Sequence, residues 1–266
     1  MTAIAMTTYG ALPAIRISCP SGAEAIVTLY GAHLVSWKTA NGAQQLFCSA
    51  KSALDGSRAI RGGVPVIFPQ FAERGSGMRH GFARVATWRL ADSGMDQGAA
   101  FAAFTLTQAE LGPAAMQAWP HRFALQLRVA VQDDTLTLAL DVRNSGTDAF
   151  AFSSALHSYF LVAALDQVAI GGVQDGALKI DAKIDQIYHD VKGAISVTQP
   201  GSRLTLTQQG FRDAVVWNPG AADTKALADM EDDDFLRFVC VEAALIDPHT
   251  LQPGAAWHGE QLATAG

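Results

Sequence analysis

The strongest constraint on the fold is a stretch in which apolar and polar residues alternate over two consecutive runs, FALQLRVAVQDDTLTLALDVRNSG. Every second position on both sides of an acidic pair is leucine or valine: Leu125, Leu127, Val129 and Val131 before Asp133-Asp134, and Leu136, Leu138, Leu140 and Val142 after it. A period of two places these side chains on one face of a strand. The stretch therefore predicts an antiparallel hairpin with one buried face.

Shorter segments of the same kind recur along the chain. They are Ala25–Leu29, Leu34–Trp37, Val64–Phe68, Ala83–Leu90, Phe101–Thr107, Phe150–Leu161, Ile195–Thr198, Leu204–Gln208, Ala214–Trp217 and Phe235–Ala244. Helical spacing is strongest at Thr107–Gln117, which is interpreted as a loop or a single turn. Many short strands separated by turn residues predict an all-β fold, a large antiparallel β-sandwich or a barrel, and residues 1–266 are expected to form one domain because no linker interrupts them.

Composition narrows the class of protein. Hydrophobic residues make up 49% of the chain, enough for a substantial core. Cys19, Cys48 and Cys240 are odd in number and widely spaced, which predicts reduced, buried thiols rather than disulfides or a zinc site. No basic leader precedes an apolar run, and no apolar segment approaches the ~20 residues that span a bilayer. We therefore expect a soluble, cytoplasmic protein with no membrane partner.

Positive charge is concentrated in one segment of an acidic chain. The formal net charge is -6, yet Lys51–Leu90 contains seven lysines and arginines against two acidic residues, a local charge of +5 that leaves -11 for the other 226 residues. A nucleic-acid surface usually needs a broad basic face. The pattern indicates a site for a small anion and no nucleic-acid partner.

Two glycine-containing segments of this basic region include candidate binding residues. In RGGVPVIFPQF, the planar guanidinium of Arg61 could bind a carboxylate or phosphate, although an arginine that satisfies loop carbonyls is the simpler interpretation of this segment alone. In RHGFAR, His80 and Phe82 are expected to share a strand face and line a pocket, with Arg84 as a second anion ligand. A structural histidine at a strand entry is the alternative.

Two ionisable residues lie inside apolar sequence. His157, in SSALHSYFLVAA, has hydroxyl-bearing neighbours that could fix its tautomer for acid or base catalysis, and a hydrogen-bonded core histidine is the alternative. Glu242 is the only acid in Phe238–Ile246, and alternation places it on the face of Phe238 and Cys240. A buried carboxylate is costly unless it is paired or used, and burial raises its pKa toward the range of a general base. A functional role is favoured for Glu242.

Other motifs are weaker. The histidines show none of the HxH, HxxxH or HExxH spacings, which argues against a metal site. Neither GxSxG nor GxxxxGK occurs, so a serine hydrolase of the α/β type and a P-loop enzyme lack support. The acidic segment Asp229–Phe235 is interpreted as a solvated turn, because it lacks the regular ligand spacing of a metal loop.

Five ordered segments, RGGVPVIFPQF, RHGFARVATW, ALHSYF, VVWNPG and FVCVEAA, resemble the glucose-6-phosphate 1-epimerase branch of the aldose 1-epimerase (galactose mutarotase-like) superfamily. Weaker similarity extends from about Tyr30 to Leu262. The resemblance implies a large antiparallel β-sandwich and an isomerase without cofactor or metal. It also implies that the substrate is a hexose 6-phosphate, glucose 6-phosphate foremost, whose α and β anomers are interconverted.

The resemblance also assigns roles to residues of this sequence. It implies that His157 is the catalytic histidine and Glu242 the catalytic glutamate. It places the contacts to phosphate and sugar on Arg61 and Arg84, and a hydrogen bond to the sugar on His80.

This chain departs from the family pattern at two places. Arg79 stands before HGFAR where the family commonly has glutamine, which could add a cation to the phosphate clamp or alter which sugar fits. The segment that carries the family's aspartate ligand looks shortened here. Asp181 is the nearest candidate for that ligand, with Asp175 and Asp185 as alternatives.

Two further hypotheses stay open at this point. One is a non-catalytic β-sandwich that binds a sugar phosphate or carbohydrate. The other is a metal-dependent enzyme that uses His80, His157 and Glu242. For the epimerase we expect a monomer or a weak homodimer.

Overall fold

The predicted hairpin lies within the largest sheet of the molecule. In the computed structural model, which describes residues 3–266, its two strands are antiparallel, with Leu125 opposite Val142 and Val131 opposite Leu136. Asp133 at the turn has a φ of 50°, a left-handed conformation in which aspartate is found more often than most residues. The alternating leucines and valines are buried, which confirms the prediction.

The strands and helices of the described chain are as follows. The strands are β1 (Ile4–Tyr9), β2 (Leu12–Ser18), β3 (Glu24–Thr28), β4 (His33–Lys38), β5 (Val66–Ile67), β6 (Arg89–Asp96), β7 (Ala99–Thr107), β8 (Phe123–Gln132), β9 (Thr135–Asn144), β10 (Phe150–Leu156), β11 (Tyr159–Leu161), β12 (Ala169–Gly171), β13 (Leu178–Lys179), β14 (Ile184–Tyr188), β15 (Ile195–Gln199), β16 (Ser202–Gln209), β17 (Asp213–Asn218), β18 (Phe238–Leu251) and β19 (Ala256–Ala265). The α-helices are α1 (Pro113–Ala118) and α2 (Gly220–Ala226), and 3-10 turns occur at Ala83–Val85, Gln108–Glu110, Leu165–Gln167 and Asp234–Arg237.

These strands form three antiparallel sheets around a common core. A four-stranded sheet has the order β1-β2-β3-β4, and a nine-stranded sheet has the order β13-β12-β15-β16-β19-β9-β8-β7-β6. The third sheet has the order β14-β17-β18-β10-β5, with β11 also paired to β18. One cluster of buried side chains contains residues from all three sheets, for example Ile15, Leu127 and Val241. The all-β, antiparallel sandwich prediction is confirmed.

A break in one predicted strand determines where His157 lies in the third sheet. The predicted strand Phe150–Leu161 is divided, because β10 ends at Leu156 and β11 begins at Tyr159. Both pieces pair with β18, and the register is continuous across the gap, with Leu156 opposite Ala243 and Tyr159 opposite Cys240. The two residues in the gap, His157 and Ser158, therefore lie opposite Glu242 and Val241.

Part of the predicted strand Ala83–Leu90 is wrong. Residues Ala83–Val85 form a 3-10 turn, and a strand begins only at Arg89. The cause lies just upstream, where His80 and Gly81 both have left-handed backbones, with φ values of 63° and 68°, so that the chain reverses direction. His80 and Phe82 consequently do not share a strand face: the His80 ring approaches the ring of His157, whereas Phe82 packs in the aromatic core against Phe68.

Other predictions for local structure are refined by the coordinates. The predicted strand Phe235–Ala244 begins three residues later, at Phe238, and continues to Leu251. Thr107–Gln117 contains the 3-10 turn Gln108–Glu110 and most of α1. All three cysteines are free thiols: Cys19 and Cys240 are buried, and Cys48 is partly buried. Within residues 3–266, no helix has the length and apolar character needed to cross a membrane.

Candidate active site

The residues predicted from the sequence converge on one of two large hollows. The larger hollow has a volume of about 810 Å³, is lined mainly by apolar groups such as Phe82 and Trp119, and contains none of the predicted site residues. The smaller has a volume of about 540 Å³ and a more polar lining. Six of the seven predicted residues line this smaller hollow: Arg61, Arg79, His80, Arg84, His157 and Glu242. This 540 Å³ hollow is therefore the candidate active site, and it is called the catalytic cavity below.

His157 and Glu242 meet at the base of the catalytic cavity. His157 Nε2 lies 3.3 Å from Glu242 Oε1, as expected for residues that are directly opposite on paired strands. Glu242 is only 1% exposed, because β18 is paired on both sides, with β17 and with β10 and β11. The pair places a carboxyl group and an imidazole side by side and shields them from solvent. These two groups are sufficient for acid–base catalysis.

The surroundings of this pair favour the neutral form of each group. Burial raises the pKa of Glu242 well above its usual value, and the Asp185 carboxylate adds to that effect. Burial also lowers the pKa of His157 well below its usual value, and His80, Arg61 and Arg84 lower it further. Both shifts favour a protonated carboxyl group next to a neutral imidazole.

Aromatic rings fix the orientation of the catalytic imidazole. The ring of His157 is stacked on that of Tyr159, with centroids 4.9 Å apart and an interplanar angle of 12°. The rings of Trp217 and His80 lie edge-on at 5.8 and 5.7 Å. The imidazole can therefore hold one position while a substrate enters and leaves.

Arg61 is positioned by two polar neighbours. Its Nε donates to Asp229 Oδ2 at 3.2 Å, its Nη2 lies 3.1 Å from the same oxygen in an ion pair, and its Nη1 donates to the Tyr159 hydroxyl at 3.2 Å. The two glycines that follow Arg61 have positive φ values, and a Cβ on either would overlap neighbouring backbone, that of Cys48 for the first glycine. These two positions therefore need glycine so that neighbouring backbone can pack closely behind the cavity wall.

Arg84 differs from Arg61 because it has no carboxylate partner among the described residues. Its Nη2 donates to the carbonyl oxygen of Arg79 at 2.8 Å, and its Nε is buried without a hydrogen-bond partner in residues 3–266. The side chain of Arg79 is exposed and pairs with exposed Glu73 at 3.3 Å, a contact that water screens. Arg84 is therefore a cation in the cavity that an incoming anion can neutralise.

His80 is fixed as a neutral hydrogen-bond donor. Its Nδ1 accepts a hydrogen bond from the backbone N–H of Ala72 at 3.2 Å, so the proton of the neutral ring is on Nε2. Burial lowers the pKa of His80 to about 3, with further contributions from Arg84, Arg79 and Arg61. A neutral imidazole that donates from Nε2 suits a sugar hydroxyl or an anionic oxygen.

The structure does not bring Asp181 to the catalytic cavity. Asp181 is exposed and lies outside the lining, whereas Asp185, one of the two alternatives, lines the cavity on the Glu242 side. Asp185 belongs to β14 and is opposite Trp217 of β17. The pairing of β14 with β17 determines that Asp185 reaches the cavity. The spacing of the aspartates along the sequence does not indicate this pairing.

Several cavity residues were missed by the sequence interpretation. The segment Asp229–Phe235 is not simply a solvated turn: Asp229 binds Arg61, and buried Asp234 accepts hydrogen bonds from the Ser49 hydroxyl and the Glu231 backbone at 2.8 and 2.9 Å. The other missed residues that line the cavity are Arg58, Tyr159, Lys183, Trp217 and Asp223. Of these residues, Tyr159 could have been identified from the sequence, because it lies two residues from His157 in a predicted strand.

The arrangement brings groups for proton transfer and groups for anion binding into one cavity. Among residues 3–266, no three His, Cys, Asp or Glu side chains are grouped so that they could hold a metal ion. The buried pair can take one proton from a substrate oxygen and give one to another. The guanidinium of Arg84 can bind a phosphate or carboxylate.

Comparison with known proteins gives a consistent result. The family model described as aldose 1-epimerase matches residues 13–182 and 173–264. A protein of Cenchrus ciliaris named "Putative glucose-6-phosphate 1-epimerase" is 32% identical over 91% of this chain and 85% of its own length. A protein of the same name from Escherichia coli K12 is 32% identical over 83% of this chain and 79% of its own length.

Solved structures resemble this fold over its whole length. A crystal structure titled as a "putative mutarotase (YeaD)" from Salmonella typhimurium matches with a TM-score of 0.89 and 27% identity, over 99% of this chain and 94% of the other. Galactose 1-epimerase from Lactobacillus acidophilus shares the fold, with a TM-score of 0.74 over 100% of this chain and 99% of the other, at 13% identity. The family model, the curated relatives and the structural likeness agree, and the chain belongs to the aldose 1-epimerase family, whose members interconvert sugar anomers.

Proposed function

We propose that this enzyme interconverts the α and β anomers of a hexose 6-phosphate, with glucose 6-phosphate as the preferred substrate. The observation that carries the proposal is Arg84, a guanidinium without a carboxylate partner in the described chain, in the same cavity as His157 and Glu242. The names of the relatives from Cenchrus ciliaris and Escherichia coli point to the same substrate class.

Ring opening requires two proton transfers together with cleavage of the C1–O5 bond, and ring closure reverses these steps. In the proposed mechanism, Glu242 removes the proton from the C1 hydroxyl while protonated His157 gives a proton to the ring oxygen. The C1–O5 bond breaks and leaves an open-chain aldehyde. Rotation about C1–C2 presents the other face of the aldehyde, and the reverse transfers close the ring. A positioned acid or base contributes about 10²–10⁴-fold, so two such groups suffice for a reaction that already proceeds in water.

The remaining cavity residues are assigned to binding. Arg84 holds the phosphate through charge-assisted hydrogen bonds, and Arg61, oriented by Asp229, adds a second contact. His80 donates from Nε2 to the sugar. Asp185, on the opposite side, accepts hydrogen bonds from sugar hydroxyls. Anchorage at both ends fixes C1 against the catalytic pair, which converts a random encounter into an oriented one.

The remaining proposals concern the state of the protein. We place residues 3–266 in one domain, because the main core cluster joins all three sheets. We propose a cytoplasmic monomer or weak homodimer that needs neither nucleic acid nor membrane. Three free thiols fit a reducing compartment. A basic segment enclosed in an acidic protein is too small for a nucleic-acid surface.

Saturation-transfer NMR between the two anomers of glucose 6-phosphate tests the proposal directly. Wild-type protein should accelerate exchange, His157→Asn should abolish the acceleration, and EDTA should leave it unchanged. Loss of activity in EDTA would favour a metal-dependent enzyme, and binding without acceleration would favour a sugar-binding module.

A second experiment tests the role of Arg84. Arg84→Ala should raise KM for glucose 6-phosphate much more than for glucose, because only the phosphorylated sugar uses the guanidinium. Arg89→Ala provides a matched control, since Arg89 is exposed, pairs with Glu110 and lies outside the catalytic cavity. Equal effects of Arg84→Ala on both sugars would refute the anchor role.

A further inference from the structure

Charges around the catalytic pair are distributed unequally. Arg61 is linked to His157 through Tyr159, whose hydroxyl accepts from Arg61 at 3.2 Å and whose ring stacks on the imidazole at 4.9 Å. Arg84 donates to the backbone beside His80, whose ring is 5.7 Å from that of His157. The carboxylate of Asp185 acts instead on Glu242. The imidazole therefore faces cations, and the carboxyl group faces an anion.

This distribution places the shared proton on the wrong partner for the first chemical step. Ring opening needs a protonated imidazole and an ionised carboxylate. The neighbours lower the pKa of His157 and raise that of Glu242, so the neutral pair prevails in the cavity. The neutral pair is instead the proton arrangement that exists after ring opening, when the carboxyl group has received the C1 proton.

We propose that the substrate's phosphate activates the enzyme as well as anchoring it: an oxyanion dianion bound at Arg84 and Arg61 moves the shared proton from Glu242 to His157. The proton travels from Glu242 Oε1 to His157 Nε2 along the 3.3 Å contact, and no atom enters or leaves the pair. This inference rests on the proposed hexose 6-phosphate activity and extends it, because it gives a non-reacting part of the substrate a role in the chemical step.

The physical reason is that both arginines bind groups next to the imidazole: Arg61 binds Tyr159, which stacks on His157, and Arg84 binds the backbone beside His80. Arg61 and Arg84 contribute to the lowered pKa of His157, whereas the raised pKa of Glu242 has burial and Asp185 as its causes. A dianion that neutralises the two guanidiniums therefore removes a penalty on the imidazolium and changes the carboxyl group less. Coulomb interactions of this kind are strongest for groups shielded from solvent, and His157 and Glu242 are both buried.

The charged and titratable groups around His157 come from every element packed against it. They are Arg61 before β5, His80 and Arg84 in the reversed segment and the 3-10 turn, Tyr159 on β11, Glu242 and Cys240 on β18, and Asp185 on β14. Tyr159 and Cys240 stay neutral near pH 7, because burial raises the pKa of both. Arg61, Arg84 and Asp185 therefore supply the fixed charges in this set.

Nitrogen-15 NMR of labelled histidine tests the inference without relying on turnover. The ligands are 1,5-anhydroglucitol 6-phosphate and 1,5-anhydroglucitol, which lack the anomeric hydroxyl and cannot open. His157→Asn identifies the His157 signals. At one neutral pH, the phosphorylated ligand should give His157 the ring-nitrogen shifts of an imidazolium, and the unphosphorylated ligand should leave the neutral pattern. A neutral pattern with both saturating ligands would overturn the inference, even if glucose 6-phosphate is turned over.

Kinetics with the anion in a separate molecule provide a second test. Sulfate is dianionic across the neutral range and too weak a base to catalyse mutarotation itself. At concentrations that compete with glucose 6-phosphate, sulfate should raise kcat/KM for glucose about tenfold, which corresponds to about 1.4 kcal/mol. Arg84→Met should lose this activation, and Arg16→Met, which changes an arginine on β2 outside the cavity, should retain it.

The outcomes separate this inference from the proposed function. Rapid turnover of glucose 6-phosphate without any sulfate activation of glucose would mean that the phosphate only anchors the substrate. Absence of glucose 6-phosphate turnover would refute the proposed function itself. Sulfate activation that persists in Arg84→Met would place the anion elsewhere and overturn the assignment to Arg84.

Discussion

Replacing Glu242 by glutamine should remove activity and stabilise the folded protein at neutral pH. Glutamine has the shape of the protonated carboxyl group and cannot ionise. The wild-type residue is buried against His157, and burial raises its pKa, so in the folded protein it keeps a proton that the unfolded chain releases at neutral pH. Retention of this proton lowers the free energy of unfolding of the wild type at neutral pH, and the variant avoids this loss. Its loss of the catalytic base should lower kcat by about 10²–10⁴-fold.

The size of the stability change follows from proton counting. Unfolded Glu and His titrate near about pH 4.3 and 6.5, whereas the folded pair keeps one proton across this range. For this pair, wild-type stability should be level between those values and fall above about 6.5 by about 1.4 kcal/mol per pH unit, until the pH reaches the folded pKa of Glu242. In Glu242→Gln only the lowered pKa of His157 remains, so stability rises up to about pH 6.5 and is level above it.

The advantage of the variant should therefore widen by about 1.4 kcal/mol per pH unit from about pH 4.3 upward, because all other groups cancel in the difference. Urea unfolding of both proteins at several pH values between 5 and 8 measures it. Glu24→Gln, at a half-buried position in the four-stranded sheet, serves as the control and should show no such slope. Parallel curves for wild type and Glu242→Gln would show that Glu242 is ionised in the folded enzyme and would refute the reasoning.

Three further predictions follow from positions around the site. Gly81→Ala should destabilise the fold by more than the ~1–2 kcal/mol of a left-handed alanine, because its methyl group would overlap backbone, whereas Gly176→Ala has open space; denaturant unfolding compares them. Asp229→Asn should lower kcat roughly tenfold without raising KM, since an uncompensated Arg61 disfavours the imidazolium; steady-state kinetics tests this. Glu110→Gln should lower the free energy of unfolding at neutral pH and change it much less in acid, because glutamine can keep the capping hydrogen bonds but loses the charge that pairs with Arg89; urea unfolding at both pH values tests this.

Residue patterns were sufficient for the fold class and for the hairpin. Strict alternation through Leu125 to Val142 reports a strand buried on one face, and turn residues at short intervals exclude a helical fold. The same reasoning failed at Ala83–Leu90, because β-branched and aromatic residues also suit a turn that is pinned by tertiary contacts. His80 and Gly81 reverse the chain there, and the reversal is held by contacts that include the hydrogen bonds between His80 and Ala72 and the packing of Phe82 against Phe68.

The sequence predicted which residues belong to the candidate site better than it predicted which of them contact each other. Glu242 stands out because an acid inside an apolar strand needs a partner, and that partner is the histidine opposite it on the neighbouring strand. Nothing along the chain specifies that β18 pairs with the break between β10 and β11. The same limit applies to Asp229 and Asp185, whose positions depend on distant segments that fold against Arg61 and beside β17.

The location of Glu242 in the middle of β18 has a consequence for the order in which the enzyme opens. A strand with hydrogen-bonded neighbours on both sides exchanges its amide protons mainly through cooperative unfolding, whereas turns exchange through local fluctuations. Glu242 therefore lies in the most slowly exchanging type of element. His80 and Arg84 lie in turns outside the three sheets. On warming, deuterium should enter the backbone around His80 and Arg84 before that around Glu242, so that affinity for phosphate is lost while the proton-transferring pair is still assembled.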